Sequence, residues 1–196
     1  TRNGTKQLAR PAKVISTPKL TKLLIITALI NNLYAFIYPF FEFALLPGAI
    51  MILLGSLQLI QLYHWDPKAT LQVPLLWSLH LTYVLLGIGF ICLGASYFTD
   101  VIRFADALHI IGIGAIGGMI LAIMSRVSLG HTGRLIQSAP LMSLAFLMMF
   151  FAALTRVLLP SLGQAMLGWQ LSAVLWVIAF ALFILHYSKI LIRQRL

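Results

Sequence analysis

Six apolar runs, separated by short polar segments, constrain this chain more than any single motif. They fall near residues 22–39, 43–63, 72–97, 105–125, 139–159 and 165–188. A helix needs about 20 apolar residues to cross a hydrocarbon core of ~30 Å, and each run approaches or exceeds that length. Backbone inside a bilayer must satisfy its own N–H and C=O groups, which leaves helices or closed barrels. Runs this long and continuous read as helices rather than strands. The expected fold is therefore all-α, a polytopic membrane bundle of about six transmembrane helices. Pro39, Pro47, Pro74 and Pro160 fall close to the expected helix ends, where proline is tolerated. With 61% hydrophobic and 9% charged residues, a soluble globular domain is excluded.

The net charge of +10 raises the question of nucleic acid, but its placement answers it. If the N-terminal arm is cytoplasmic, that side carries Arg2, Lys6, Arg10, Lys13, Lys19, Lys22, Lys68, Arg126, Arg134, Lys189, Arg193 and Arg195. Only Arg103 and Arg156 fall on the other side. This asymmetry follows the positive-inside rule, with both termini cytoplasmic. No soluble basic domain remains to bind nucleic acid. The expected organisation is a basic cytoplasmic arm over 1–21, a transmembrane domain over 22–188 and a basic tail over 189–196. The opening lacks a short apolar core followed by a small-residue cleavage site, so it reads as a cytoplasmic loop cut from a longer protein. Tyr63 and Trp65 on the inner side, with Tyr97 and Phe98 on the outer, suit the aromatic belts of a bilayer. The single cysteine, Cys92, lies mid-span and permits no intrachain disulfide.

Polar residues in so apolar a chain carry most of the functional information, because ionisable groups within a membrane are costly. His80 lies about 12 Å into the third span at 1.5 Å per residue. His109 is near the outer end of the fourth, and His64, His131 and His186 sit near the cytoplasmic boundary. A neutral imidazole can ligate a metal through one nitrogen while the other donates to a partner. His80 equally suits a core histidine bonded through Ser78 or Tyr83. Asp106 lies three residues before His109 and can orient it, or the two can form a plain interfacial pair. The run Arg126-Val127-Ser128-Leu129-Gly130-His131-Thr132-Gly133-Arg134 reads as a turn whose glycines allow close approach and whose arginines can grip carboxylates. A solvated basic loop fits the same residues. Gly114 and Gly118, with Ala122 on the same face, suit close helix packing or a flat surface for a ring system. Asn31 and Asn32 are expected to bond to neighbouring helices, and Asp100 to pair with Arg103 at the surface.

Four stretches resemble the NnrS family of bacterial haem- and copper-containing membrane proteins linked to nitric oxide stress. They are Pro74-Leu75-Leu76-Trp77-Ser78-Leu79-His80, then Leu108-His109, then Gly114-Ala115-Ile116-Gly117, then the run from Arg126 to Arg134. The resemblance covers roughly residues 70–135. It implies haem and copper as cofactors, with His80, His109 and His131 as metal ligands and Asp106 behind His109. Arg126 and Arg134 would then face haem carboxylates. It further implies a role in nitric oxide response, a bacterial inner-membrane location, and a chain that is the C-terminal half of a longer protein. The implied partners are the lipid bilayer, the N-terminal half and nitric oxide. His80 and His109 differ in depth by roughly 10 Å, which favours two sites or ligands completed by the other half.

Hydrolase, kinase and iron–sulfur signatures are absent: there is no Walker-type run, no Gly-x-Ser-x-Gly, no His-Glu-x-x-His and no cysteine pair. Whether the chain is an enzyme stays open. Half of a membrane transporter or channel without a metal is the alternative, with Asn31, Asn32 and His80 as its sparse candidates for a midplane path. A purely structural membrane subunit is the third reading, and it leaves the histidines unexplained.

Overall fold

The structure, a computed structural model, describes residues 12–37, 45–135, 137 and 139–192. Arg2, Lys6, Arg10, Pro39, Glu42, Arg193 and Arg195 lie outside the described residues. Among the described residues the regular elements are all helical, and six helices are long and apolar enough to cross a membrane. They are α1 (Pro18–Ile37), α2 (Leu45–Tyr63), α3 (Pro74–Ala95), a composite span Phe104–His131, α6 (Pro140–Ser161) and α7 (Ala165–Ile192). The composite span comprises α4 (Phe104–His109), a π-helical stretch Ile110–Gly117 and α5 (Gly118–His131). One 3-10 turn, Pro67–Thr70, links α2 to α3.

The sequence states where several helices start. Pro18, Pro67, Pro74 and Pro140 each open an element, where a missing N–H costs nothing and the fixed φ suits the first turn. Two helix ends are set by glycine. Gly133 (φ 72°) closes α5, with Arg134 N–H donating to Leu129 O at 3.1 Å and Gly133 N–H to Gly130 O at 3.3 Å. Gly163 (φ 80°) closes α6 through the same pair of bonds, Gln164 N–H to Leu159 O and Gly163 N–H to Pro160 O. Both are Schellman caps, which need a left-handed residue that glycine supplies without strain.

α2 and α3 run antiparallel and touch through glycine. On α2, Gly48 and Gly55 face Gly94 and Gly87 of α3, so the two backbones meet directly. On the composite span, Gly114 lies against Leu85 and Ala153, and Gly118 against Thr82. The Gly114–Gly118 face is thus taken up by α3 and α6, and it serves helix packing as small residues do in membranes. Two core clusters result. One gathers Leu75, Leu121, Leu129, Met142, Phe146, Met149 and Tyr187, and the other Leu85, Ile110, Ala153 and Val157, with Cys92 packed against it. α1 exposes most of its apolar side chains and buries only Thr27, the pattern of a helix whose solvent is lipid.

Small polar side chains inside the bundle mostly bond back to their own helix. Thr27 donates to Leu23 O, Ser56 to Ile52 O, Ser125 to Leu121 O, Thr155 to Phe151 O and Ser161 to Val157 O. Asn32 does likewise, donating to Ala28 O of α1 rather than to a neighbouring helix as expected. Where no water is available, the nearest free lone pair is the carbonyl four residues earlier.

Candidate functional site

His64, His80 and His109 follow the same back-bonding rule, and this sets their tautomer. Nδ1 of His80 lies 2.9 Å from Leu76 O, and Nδ1 of His109 lies 2.5 Å from Ala105 O. His64 does the same with Ile60 O at 2.8 Å. A carbonyl only accepts, so the hydrogen is on Nδ1 and, in the neutral ring, the lone pair is on Nε2. That is the tautomer a metal-ligating histidine needs, with its second nitrogen anchored by a backbone oxygen. His80 is buried, edge-on to Trp65 at 6.3 Å, and Trp65 also packs on Tyr83. Trp65 is half-buried, turned toward α3 rather than outward as a belt residue.

The three singled-out histidines stand at different levels. His109 and His131 lie near opposite ends of the composite span, about 30 Å apart along a helix axis. On α3, Gly89 lies against Ile111, which puts His80 about 15 Å from His109 in depth on the helical rise. Among the described residues no group of three His, Cys, Asp or Glu side chains converges as a metal site would require. His131 is exposed on the last turn of α5, and Arg126 is exposed one turn earlier. The expected turn over 126–134 is helical as far as His131. Gly130 is an ordinary helical residue, and only Gly133 adopts a left-handed conformation. Leaving the apolar zone does not end a helix; the cap does. Arg134 follows that cap, with its Nε buried and lacking a hydrogen-bond partner.

The densest arrangement is at the opposite end, around Asp106. Its carboxylate is almost fully buried and takes a hydrogen bond from Arg103 Nε at 2.7 Å, with Arg103 Nη2 at 2.6 Å from the same oxygen. Arg156 of α6 approaches the other oxygen, Nη1 to Oδ1 at 3.4 Å, and its Nη2 lies 3.5 Å from His109 Nε2. A guanidinium only donates, so His109 Nε2 is the acceptor, in agreement with hydrogen on Nδ1. Asp106 therefore reaches His109 through Arg156 and not directly. Arg103 turns to Asp106, not to Asp100 as the sequence suggested. Both guanidiniums lie over the indole of Trp169 in α7, at 5.7 Å for Arg103 and 5.0 Å for Arg156, a cation–π arrangement.

Beside this cluster a cleft of about 420 Å³ opens between the π-helical stretch, α6 and α7. His109, Arg156, Trp169, Ser172 and Trp176 line it. The π-helix starts at the residue after His109, and such stretches recur at functional sites because they re-aim the side chains around them. Gly112, Gly114 and Gly117 ease the wider turn, since a glycine leaves no Cβ to crowd it. Sequence reading treated this stretch as ordinary helix. It also missed Arg156, Trp169, Ser172 and Trp176 as site residues. A signal was present: Arg156 is the one charged residue within α6, and charges within spans are functional candidates.

A family model described as NnrS protein matches residues 1–195. The chain belongs to the NnrS family. The match extends well beyond the motifs around residues 70–135 and takes in α1, α2, α6 and α7, so the cleft lies within the NnrS homologous region. No curated protein and no solved structure matches this NnrS chain.

Proposed function

We propose that this NnrS chain is part of a haem-binding protein of the bacterial inner membrane that acts in the response to nitric oxide. The surroundings of His109 are the observation that supports this best. An imidazole with its Nδ1 tied to Ala105 O, a guanidinium suited to a carboxylate, and two indoles line one cleft. Those residues fit a porphyrin bearing carboxylates. By contrast, the space beside His80's helix, near Ser78 and Gly114, is about 10 Å³, room for no more than a water-sized guest. A haem iron, when bound, supplies a coordination position for a small gas. His109 would present Nε2 to it, with Ala105 O holding the ring orientation, while Arg156 leaves that nitrogen and turns to a carboxylate. Trp169 and Trp176 would keep water from the buried side.

Copper fits less well. A copper site draws imidazoles or thiolates together, and no such group converges among the described residues. His80, and His131 with Arg126 and Arg134, remain the further ligand candidates, each needing donors from elsewhere. A preceding half of the same protein, or lipid, would cover the apolar sides of α1 and α7. An inner-membrane orientation with cytoplasmic termini is supported by charge. Lys13, Lys19, Lys22, Lys68, Arg126, Arg134 and Lys189 fall at one end of the bundle and Arg103 and Arg156 at the other. A transporter or channel gains no support from the narrow interior or from Asn32, which bonds within α1.

The test is the optical spectrum of the purified protein, oxidised and reduced, for wild type, His80→Ala, His109→Ala and His131→Ala. The expected result is a Soret band that His109→Ala removes or shifts and His131→Ala leaves. No Soret band after haem-replete expression sinks the haem reading. A band sensitive only to His80 or His131 moves the ligand away from the cleft.

A further inference from the structure

We propose that the cleft beside His109 binds an apolar molecule carrying one anionic oxygen group, phosphate or carboxylate, held by Arg156 and Ser172. The charge balance is the first support. Two guanidiniums face one carboxylate, leaving a surplus of one positive charge. Asp106 is committed to Arg103 at 2.6–2.7 Å, whereas Arg156 approaches it only at 3.4 Å. Arg103 is 53% exposed in its side chain and can be hydrated; Arg156 is 16% exposed and cannot be to the same degree. Arg156 Nη1, the atom that faces Asp106 Oδ1 at 3.4 Å, is buried and makes no proper hydrogen bond. A buried charged donor whose carboxylate partner stands off at 3.4 Å is poorly satisfied, so a closer anionic oxygen there is favoured.

Ser172 is the second, independent support. It is 1% exposed, it lines the cleft, and its Oγ has no hydrogen-bond partner. Ser56, Ser125 and Ser161 all spend their hydroxyls on their own helix carbonyls. Ser172 does not, which leaves a donor for a guest. Shape is the third. Trp169 and Trp176 stand seven residues apart on α7, so they share a face, and they run from about 6 Å to about 16 Å below the start of that helix. Polar groups crowd the upper part and apolar walls the lower, the polarity of an amphiphile at a membrane boundary. The cleft volume of about 420 Å³ suits a head group and part of an apolar body.

A porphyrin carboxylate and the phosphodiester of a bilayer lipid share this chemistry. The site stands on charge and shape and needs no iron at His109, so it can fail or hold separately from the haem reading. The experiment uses the full chain in phosphatidylcholine nanodiscs, with Trp65→Phe and Trp77→Phe leaving Trp169 and Trp176 as reporters. Three probes are compared: phosphatidylglycerol with brominated chains at a small fraction, against equally brominated phosphatidylcholine; metal-free protoporphyrin; and its dimethyl ester. Saturable quenching by the brominated phosphatidylglycerol beyond the phosphatidylcholine control identifies a lipid phosphate. Saturable quenching by protoporphyrin and not by its ester identifies a carboxylate. Either should weaken about tenfold or more in Arg156→Gln, as loss of a charge-assisted bond implies, and recover partly in Arg156→Lys. Ser172→Ala removes a hydroxyl that supports nothing in the fold, and it should weaken the same signal several-fold. If Arg156→Gln does not fold, Ser172→Ala decides alone. Equal quenching by both lipids together with equal binding of protoporphyrin and its ester overturns the proposal. So does an affinity unchanged by Ser172→Ala.

Discussion

Replacing Asp106 by asparagine isolates what the carboxylate does for the cluster around His109. The side chain is 5% exposed and stands between Arg103, 53% exposed, and Arg156, 16% exposed. Breaking a buried ion pair by removing one partner costs about 3–5 kcal/mol, because the other charge is left stranded. Here the figure must be reduced. The Arg103 arm is half in solvent, where such pairs are worth about 0–1 kcal/mol. The Arg156 arm is long at 3.4 Å, and Asn keeps one oxygen as an acceptor. The expected loss is therefore about 2–3 kcal/mol, most of it from Arg156. At about 2–4 °C per kcal/mol for a chain of this size, the unfolding midpoint should fall by roughly 4–12 °C. The assay is thermal unfolding in mild detergent, read by tryptophan fluorescence. Asp106→Asn with Arg156→Gln should recover part of the loss, with a coupling of about 1–3 kcal/mol. A single variant within about 0.5 kcal/mol of wild type, or a double variant as unstable as the sum of the singles, refutes the argument that Asp106 neutralises Arg156.

Four further substitutions test the packing and capping of the bundle. Gly55→Ala puts a methyl against Gly87 O and 2.8 Å from Ile91 Cγ1, so α2 and α3 must separate; a loss of about 1–3 kcal/mol is expected in the same melting assay. Gly130→Ala meets nothing within 4 Å, and it should stabilise by up to about 0.5–1 kcal/mol as alanine does in a helix; a loss there would undo the helical assignment of that turn. Gly133→Ala forces a side chain into φ 72° and should cost about 1–2 kcal/mol, with an unchanged melt arguing against the cap. Leu85→Ala, at 1% exposure on α3 and packed against Gly114 and Ala153, should cost about 2–5 kcal/mol, and a smaller loss would mean that the core collapses around it.

The six spans were legible because bilayer thickness sets their length, and hydropathy reads that length directly. The end of α5 was not, for the same reason. Hydropathy stops near Ser125, where the apolar zone ends, while the helix runs on to His131 until Gly133 caps it. The π-helical stretch was equally hidden, since Ile110–Gly117 is as apolar as any helix interior and the choice lies in backbone bonding alone. Gly114 and Gly118 declared a packing face. The seam of Gly48 and Gly55 with Gly87 and Gly94 went unread, although each pair repeats at a spacing of seven, two full helical turns.

The site divides along the same line between local and distant information. Asp106 and His109 could be paired by spacing, and that spacing misled about their contact, because the group between them comes from α6, 47 positions away in sequence from His109. In the sequence Arg156 counted as one of two cations breaking an otherwise clean charge asymmetry. In the fold it touches Asp106, His109 and Trp169 at once. The helical periods that place side chains on one face say nothing about which helix lies opposite. A charge inside a span, however, cannot remain without partners there. Arg156 thus announces from sequence alone that a carboxylate, an aromatic face or a bound anion must meet it from another helix. The structure supplies the first two, but the carboxylate stands 3.4 Å from Nη1, too far to satisfy that buried donor well.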